Sequence, residues 1–164
     1  MEGLFAPFLY RDFVFSVDTT QAGSASDHMI LPFVTGGTYN CNIDWGDGND
    51  DDITAWNDAA LDHTYSVGGT YVIRISGQCE EMLFLNGGDK AKIGEIFQFG
   101  DGFKMGSAGS FWGCSNLTIS ATDPCNFSTT DALDAAFLNC TSLSTAPSMT
   151  GWDTSTQTTL RDCF

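Results

Sequence analysis

The chain is short of basic residues, proline, histidine and long apolar runs, and each shortage excludes something. Six Lys plus Arg stand against 21 Asp plus Glu in 164 residues, a formal charge of −15. A surface of that sign repels phosphate backbones and anionic lipid, so no nucleic-acid partner is expected; cations, basic partners or salty surroundings suit it. The longest apolar run, near Met29 to Val34, is short and broken by Pro32, so neither a transmembrane helix nor membrane insertion is expected. Met1 to Tyr10 lacks a basic n-region, and no secretory signal is read there. The glycine-rich Gly100-Asp101-Gly102 lacks the Lys and the strand-loop-helix setting of a phosphate loop. None of the six Cys falls in a Cys-x-x-Cys metal or redox motif.

What remains favours short strands and turns: 18 Gly, 13 Phe and abundant Ser, Thr, Asn and Asp. Asp12 to Val17 alternates, with Phe13, Phe15 and Val17 on one face. Met29 to Val34 reads as a second strand, placed at an edge or bend by Pro32. After the Gly36-Gly37 turn, Tyr39, Cys41, Ile43 and Trp45 share one face of a third strand. Gly46 and Gly48 around Asp47 supply a tight turn. Beyond Gly69, Tyr71, Ile73 and Ile75 point inward on another strand. Half-buried strands joined through a Gly/Asp-rich excursion predict an antiparallel sandwich. The ordered elements Asp44-Trp45-Gly46-Asp47-Gly48, Asp62-His63-Thr64-Tyr65 and Gly69-Thr70-Tyr71-Val72-Ile73 resemble the polycystic-kidney-disease (PKD) type of immunoglobulin-like domain over about Asp12 to Gly77. That resemblance implies a sandwich used for spacing and contact outside cells, seldom for catalysis.

After Gly77 the texture changes. Met82 to Leu85 reads as a short strand, Asn86 to Asp89 as a turn, and Ile93 to Phe99 as another strand. Phe111-x-x-Cys114-x-x-Leu117 then recurs as Phe137-x-x-Cys140-x-x-Leu143, 26 residues on, and Phe164 stands 27 after Phe137. Leu133 and Leu160 precede Phe137 and Phe164 by four, so each pair is expected on one face of a helical turn. A unit that buries its apolar edge against a copy of itself is the logic of a solenoid. The Gly151-Trp152-Asp153-Thr154-Ser155 and Phe137-to-Leu143 elements resemble BspA-type leucine-rich repeats of bacterial surface proteins, over about Ile93 to Phe164. That implies adhesion and surface recognition. The first unit departs from the pattern, with Phe99-Gly100 in the Trp slot and Ser107 where Leu is expected, as a capping repeat would. The fold class expected is mainly β: a PKD-like β-sandwich plus a short leucine-rich-repeat-like solenoid. Residues 1–11 form an arm, 12–80 the sandwich and 81–164 the repeat segment, with Phe111, Leu117, Leu133, Phe137, Leu143 and Trp152 in the core.

Chemistry-bearing residues are few. Asp47, Asn49 and Asp51 alternate as oxygen ligands of a weak calcium loop would, with Asp58 nearby. The EF-hand pattern fails, because Asp52 sits where Gly is needed and no Glu follows at the twelfth position. A solvated loop is the plainer reading, and calcium is the one cofactor considered. His63 is expected to tie a loop to the sheet, and no catalytic residue is assigned. With 21 acids, chance pairing of carboxylates is too easy to signal glycoside hydrolysis. Cys114 and Cys140 occupy one slot in successive units and should stack as buried free thiols, with Cys125 and Cys163 also in packing slots. Cys41 and Cys79 share inward parity, and whether they bridge is a matter of geometry. Leu4, Phe5, Phe8 and Leu9 cluster without local structure to bury them, and with Phe164 they are the expected interface.

These features point to a non-enzymatic protein exposed on a surface. Extracellular-type modules, an initial Met1 and no export signal fit the exterior of a virus particle, as a capsid decoration or fibre protein of a tailed phage that lysis would release. The alternatives are a fragment of a bacterial cell-surface adhesin and a glycan-binding module or glycan-processing enzyme. Protein partners are expected: copies of the chain in a homo-oligomer, or viral shell proteins, with a host-surface glycan or protein as a further target.

Overall fold

Alternation of apolar and polar residues dictates the front half of the chain. In the computed structural model, which describes residues 11–145 and 147–164, ten strands follow in order. They are β1 (Phe13–Asp18), β2 (His28–Ile30), β3 (Tyr39–Asp44), β4 (Asp50–Ile53), β5 (Asp62–Thr64), β6 (Thr70–Glu80), β7 (Ile93–Gln98), β8 (Phe103–Met105), β9 (Thr118–Ile119) and β10 (Asn126–Phe127). Eight of them form one open sheet along the path β10-β8-β6-β1-β7-β9, with β3 on the other edge of β6 and β4 beyond it. The remaining two, β2 and β5, pair antiparallel as a separate ribbon. The fold is mainly β.

Strand β6 is the spine because its 11 residues are long enough to serve three neighbours. Its first half lies against β1, with Phe13 opposite Ile75 and Val17 opposite Tyr71. Its second half takes β3 on one edge, Tyr39 opposite Cys79, and β8 on the other, Cys79 opposite Phe103. The sheet therefore runs without a break across residue 80. Gly77 turns this corner at φ +87°, and a side chain there would strike the Asn40 carbonyl. Phe13, Phe15, Val17, Ile43, Trp45, Ile73 and Ile75 point to one face and are almost wholly buried. They join one continuous apolar core that extends through Phe99, Phe103 and Phe111 to Trp152 and Cys163.

Two expected strands are shorter or absent. Of the Met29-to-Val34 run only Met29 and Ile30 are strand, within β2. Pro32 has no N–H to donate, and Phe33 keeps a single bridge, to Met82. Met82 to Leu85 is not a strand, because Leu85 and Asn86 adopt positive φ (46° and 60°) and bend the chain away.

That bend is the first of four similar turns. Phe84, Phe111, Phe137 and Phe164 head successive tiers spaced 27, 26 and 27 residues apart. Two residues after the first three Phe stand Asn86, Gly113 and Asn139, all at positive φ. Two before the last three stand Gly109, Ala135 and Asp162, also at positive φ. Adjacent tiers are stitched in one register: Phe84 N–H donates to the Ser110 carbonyl, Phe111 N–H to Ala136, and Phe137 N–H to Cys163. Neighbouring rings follow, with centroids 6.3 Å apart for Phe84 and Phe111, 5.7 Å for Phe111 and Phe137, and 5.4 Å for Phe137 and Phe164. The last two pairs are nearly parallel. Leu133 is buried, whereas Leu160 is 58% exposed, because 131–139 is a succession of tight turns rather than a helix and no further tier covers residue 160.

A buried ion pair joins the two halves. Lys92 has no exposed surface, and its Nζ donates to the Ser24 hydroxyl (2.8 Å) and to the carbonyls of Ala25 (2.8 Å) and His28 (2.7 Å). Asp89, 3.7 Å from that Nζ, accepts from the Ser24 N–H and hydroxyl and from the Ile30 N–H. Gly23 passes so close to Asp89 that any side chain would collide with its carboxylate.

Two substitutions test this packing. Phe137→Ala should cost about 3–5 kcal/mol in urea unfolding, as a large-to-small change at a site between two rings. Lys92→Ala should cost a similar ~3–5 kcal/mol, because it leaves Asp89 buried without its cation. Parent-like stability in the first would show that the tiers are misregistered, and in the second that the pair carries no weight.

Candidate functional site

The region around Trp45 gathers the chain's aromatic and acidic side chains, so it is where chemistry would be sought first. β3 ends at Asp44, and the N–H of the next residue, Trp45, donates to the Asn49 carbonyl (3.1 Å) and closes the turn. Gly46 sits at φ +80° hard against the Val72 carbonyl, leaving no room for a side chain. The turn directs Asp47 back toward β5. There the His63 ring lies flat on the Trp45 indole, centroids 4.5 Å apart and planes 4° from parallel, with the Tyr65 ring edge-on at 4.6 Å. His63 Nε2 meets the Asp47 carboxylate at 3.0 Å, and Tyr65 donates its hydroxyl to the Trp45 carbonyl at 3.1 Å. Burial pushes the Tyr65 phenol up, so it stays a neutral donor.

This arrangement ties the turn after β3 to β5. His63 is stacked on Trp45, meets Tyr65 in a T-shaped contact and faces Asp47 through Nε2, and among the described residues no Ser, Thr or Cys hydrogen-bonds to its ring. A nucleophile within reach of the base is what nucleophilic catalysis needs. The other histidine, His28, sits half-exposed with Nδ1 2.8 Å from Asp62.

The four residues that would ligate calcium are already engaged, Asp47 and Asn49 with each other. Asp47 accepts from the Asn49 N–H and side-chain amide as well as facing His63. Asp51 accepts from the Trp45 indole N–H at 2.9 Å. Asp58 caps the 3-10 turn Ala59–Leu61 by accepting from the Ala60 N–H. Among the described residues no group of three or more His, Cys, Asp or Glu could hold a metal ion.

All six thiols are buried and unbridged. Burial raises Cys140 to about 12 and Cys163 to about 11, and pushes Cys79, Cys114 and Cys125 up as well. Thiols so protonated are poor nucleophiles at neutral pH. Cys41 and Cys79 lie on the same face of β3 and β6, two residue pairs apart in the register, and are free thiols.

The remaining candidate is a surface. Phe164 is 53% exposed, and beside it a cleft is lined by Phe137, Leu138, Asn139, Cys140, Thr141 and Leu143. Leu4, Phe5, Phe8 and Leu9 lie outside the described residues. A second, shallower apolar depression on the sheet's outer face is formed by Val14, Val72 and Phe97 with Arg74 and Gln98. Sequence reasoning started the repeat one tier late. Phe84-Leu85-Asn86 repeats Phe137-Leu138-Asn139 letter for letter, 27 residues ahead of Phe111, and that identity was the available signal.

No family model, no curated protein and no solved structure matches the chain.

The Asp47 clamp makes a pH prediction. Burial alone would raise the Asp47 carboxyl, but hydrogen bonds from His63 and from Asn49 outweigh it and hold it below its usual range. Hydrogen bonds from Thr20, Lys104 and Arg11 likewise depress Asp18, Glu80 and Asp101. For a depressed carboxyl the unfolded chain takes up protons first, so its stabilisation is present above about pH 4 and is lost as pH falls through the lower folded value. His63→Ala removes the strongest influence depressing Asp47 and leaves its burial. Circular dichroism should show a lower melting temperature and an acid-unfolding midpoint shifted to higher pH; unchanged values in both would show that the clamp is idle.

Proposed function

We propose that the chain is a non-catalytic recognition and structural module displayed on the outside of a virus particle, built as a PKD-like immunoglobulin sandwich continued by a short BspA-type leucine-rich-repeat solenoid. The observation that carries this reading is the four-tier phenylalanine ladder, whose neighbouring rings lie with centroids 5.4 to 6.3 Å apart. Its regular register supports the repeat assignment, and repeats of that type work by contact rather than turnover. The charge of −15 suits display in a salty exterior and a basic or cation-bridged partner. Clamped His63 and protonated thiols support the absence of catalysis. The separate ribbon β2–β5, whose Met29 is buried in the common core, supports the sandwich.

A bacterial cell-surface adhesin is the second reading, favoured by the same ladder because BspA-type repeats belong to that setting. Immunogold labelling with antibody against the folded chain separates the two. Gold on released virus particles, with a bare cell envelope, is expected; gold confined to the envelope would replace the first reading by the second. Glycan and peptide substrate panels should show no turnover, and any hydrolysis that disappears in His63→Ala would overturn the non-catalytic assignment.

A further inference from the structure

The outer face of the main sheet carries an apolar depression, and one unengaged cation sits on its rim. Across β3 and β4 the outward residues are Asn42, Asp44, Asp50 and Asp52. Across β1, β6 and β7 they turn apolar: Val14, Val72 and Phe97 form a depression rimmed by Arg74 and Gln98. Register explains the cluster. Val14 lies between Arg74 on β6 and Gln98 on β7, and Val72 stands opposite Ser16, the next outward position of β1. One step of β1, from Val14 to Phe15, takes two on β7, from Gln98 to Ile96. Phe97 is thus the extra residue of a β-bulge, which re-aims its side chain. It is left 41% exposed, with Val72 at 37% on the other side of β1.

Five of the six basic residues are engaged: Arg11 with Asp101, Lys90 with Asn86, Lys92 with Asp89, Lys104 with Glu80 and Arg161 with Asp134. Arg74 is exposed, and its guanidinium makes no hydrogen bond or ion pair among the described residues, although Asp44 stands opposite it in the register. A bare guanidinium beside apolar side chains suits a carboxylate carried on an apolar segment. Residues 1–10 are such a segment: they contain Leu4, Phe5, Phe8, Leu9 and Tyr10, and Glu2 is their single charged side chain. They join the described chain at Arg11, whose N–H donates to the Asp101 carboxylate at 3.0 Å and whose carbonyl accepts from the Asp101 N–H at 3.0 Å. The carbonyl of the next residue, Asp12, accepts from the Gln98 side-chain amide at 2.7 Å, so the junction is tied to the depression's own rim. From Arg11 to Val14 is about 10 Å along β1, whereas an extended segment from Glu2 to Tyr10 would reach about 30 Å.

We infer that residues 2–10 dock on the outer face of their own sheet, with apolar side chains between Leu4 and Leu9 covering Val14, Val72 and Phe97 and the Glu2 carboxylate on Arg74. Two observations favour the chain's own segment over a second copy. Five residues line the depression, against the ~20–30 a side of a stable interface between proteins. Asp44 and Asp50 also stand next to Arg74 across the same face and repel a body of charge −15, whereas the arm brings one carboxylate, with Arg74 to meet it. Tethering adds an effective concentration of about millimolar. The arm expected from sequence to contact a partner is then spent on its own sheet, whichever surface displays the protein.

Methyl NMR of the full chain, beside a version lacking residues 1–10, reads the face directly. The deletion should move the Val14 and Val72 methyl resonances and lower the melting temperature by about 2–4 °C. A charge swap tests the pairing without shortening the chain. Glu2→Arg and Arg74→Glu should each lower the melting temperature, and the double variant should melt above both. Sedimentation of the parent should show a monomer. Val14 and Val72 methyls left in place by the deletion, or a double variant melting no higher than the singles, would overturn the inference. So would self-association of the parent that the deletion abolishes, since the arm would then sit on a second copy.

Discussion

Lys92 carries its charge with no exposed surface, and the relation between the two halves of the chain depends on it. A buried ammonium is tolerable only when every proton finds an acceptor and a counter-charge lies close. Ser24, Ala25 and His28 supply the acceptors and Asp89 the charge, so the polar loop after β1 has no freedom to lift away from the start of β7. The pair also finishes β2. The His28 carbonyl and the Ile30 N–H are bound by Lys92 and Asp89, so a ribbon of only two strands is anchored at its open side by side chains rather than by a third strand. With β2 fixed, Met29 is buried in the core and β5 brings His63 and Tyr65 onto Trp45.

Local pattern made much of this legible. Period-two alternation gave β1, β3 and β6 with their correct inward faces, because both neighbours of each residue are fixed by the pleat. The 26-residue spacing gave Phe111 and Phe137 as stacked core residues, along with Cys114, Leu117 and Cys140. What stayed hidden needed partners far away in sequence. Lys92 is one of only six basic residues and reads as surface; the groups that satisfy it lie 64 to 68 residues earlier. Leu160 failed for the opposite reason: its register is right, but helical spacing does not apply to a run of tight turns, and no following tier buries it.

The two kinds of exposed edge differ in a way that gives the molecule a direction. At the outer strand of the main sheet, β4 runs Asp50-Asp51-Asp52, and Asn42 spans two of these carboxylates with bonds of 2.8 and 3.0 Å. An edge so charged rejects another strand, which would have to bury carboxylates beside its own backbone. The last Phe tier has no such guard. Its ring is half bare, and the charged residues next to it are Arg161 and Asp162. Arg161 is in addition held back on Asp134 at 3.0 Å, away from the ring face. The sheet edge is thus guarded by charge, whereas the Phe stack is held by ring contacts and by N–H groups of one tier donating to carbonyls of the next.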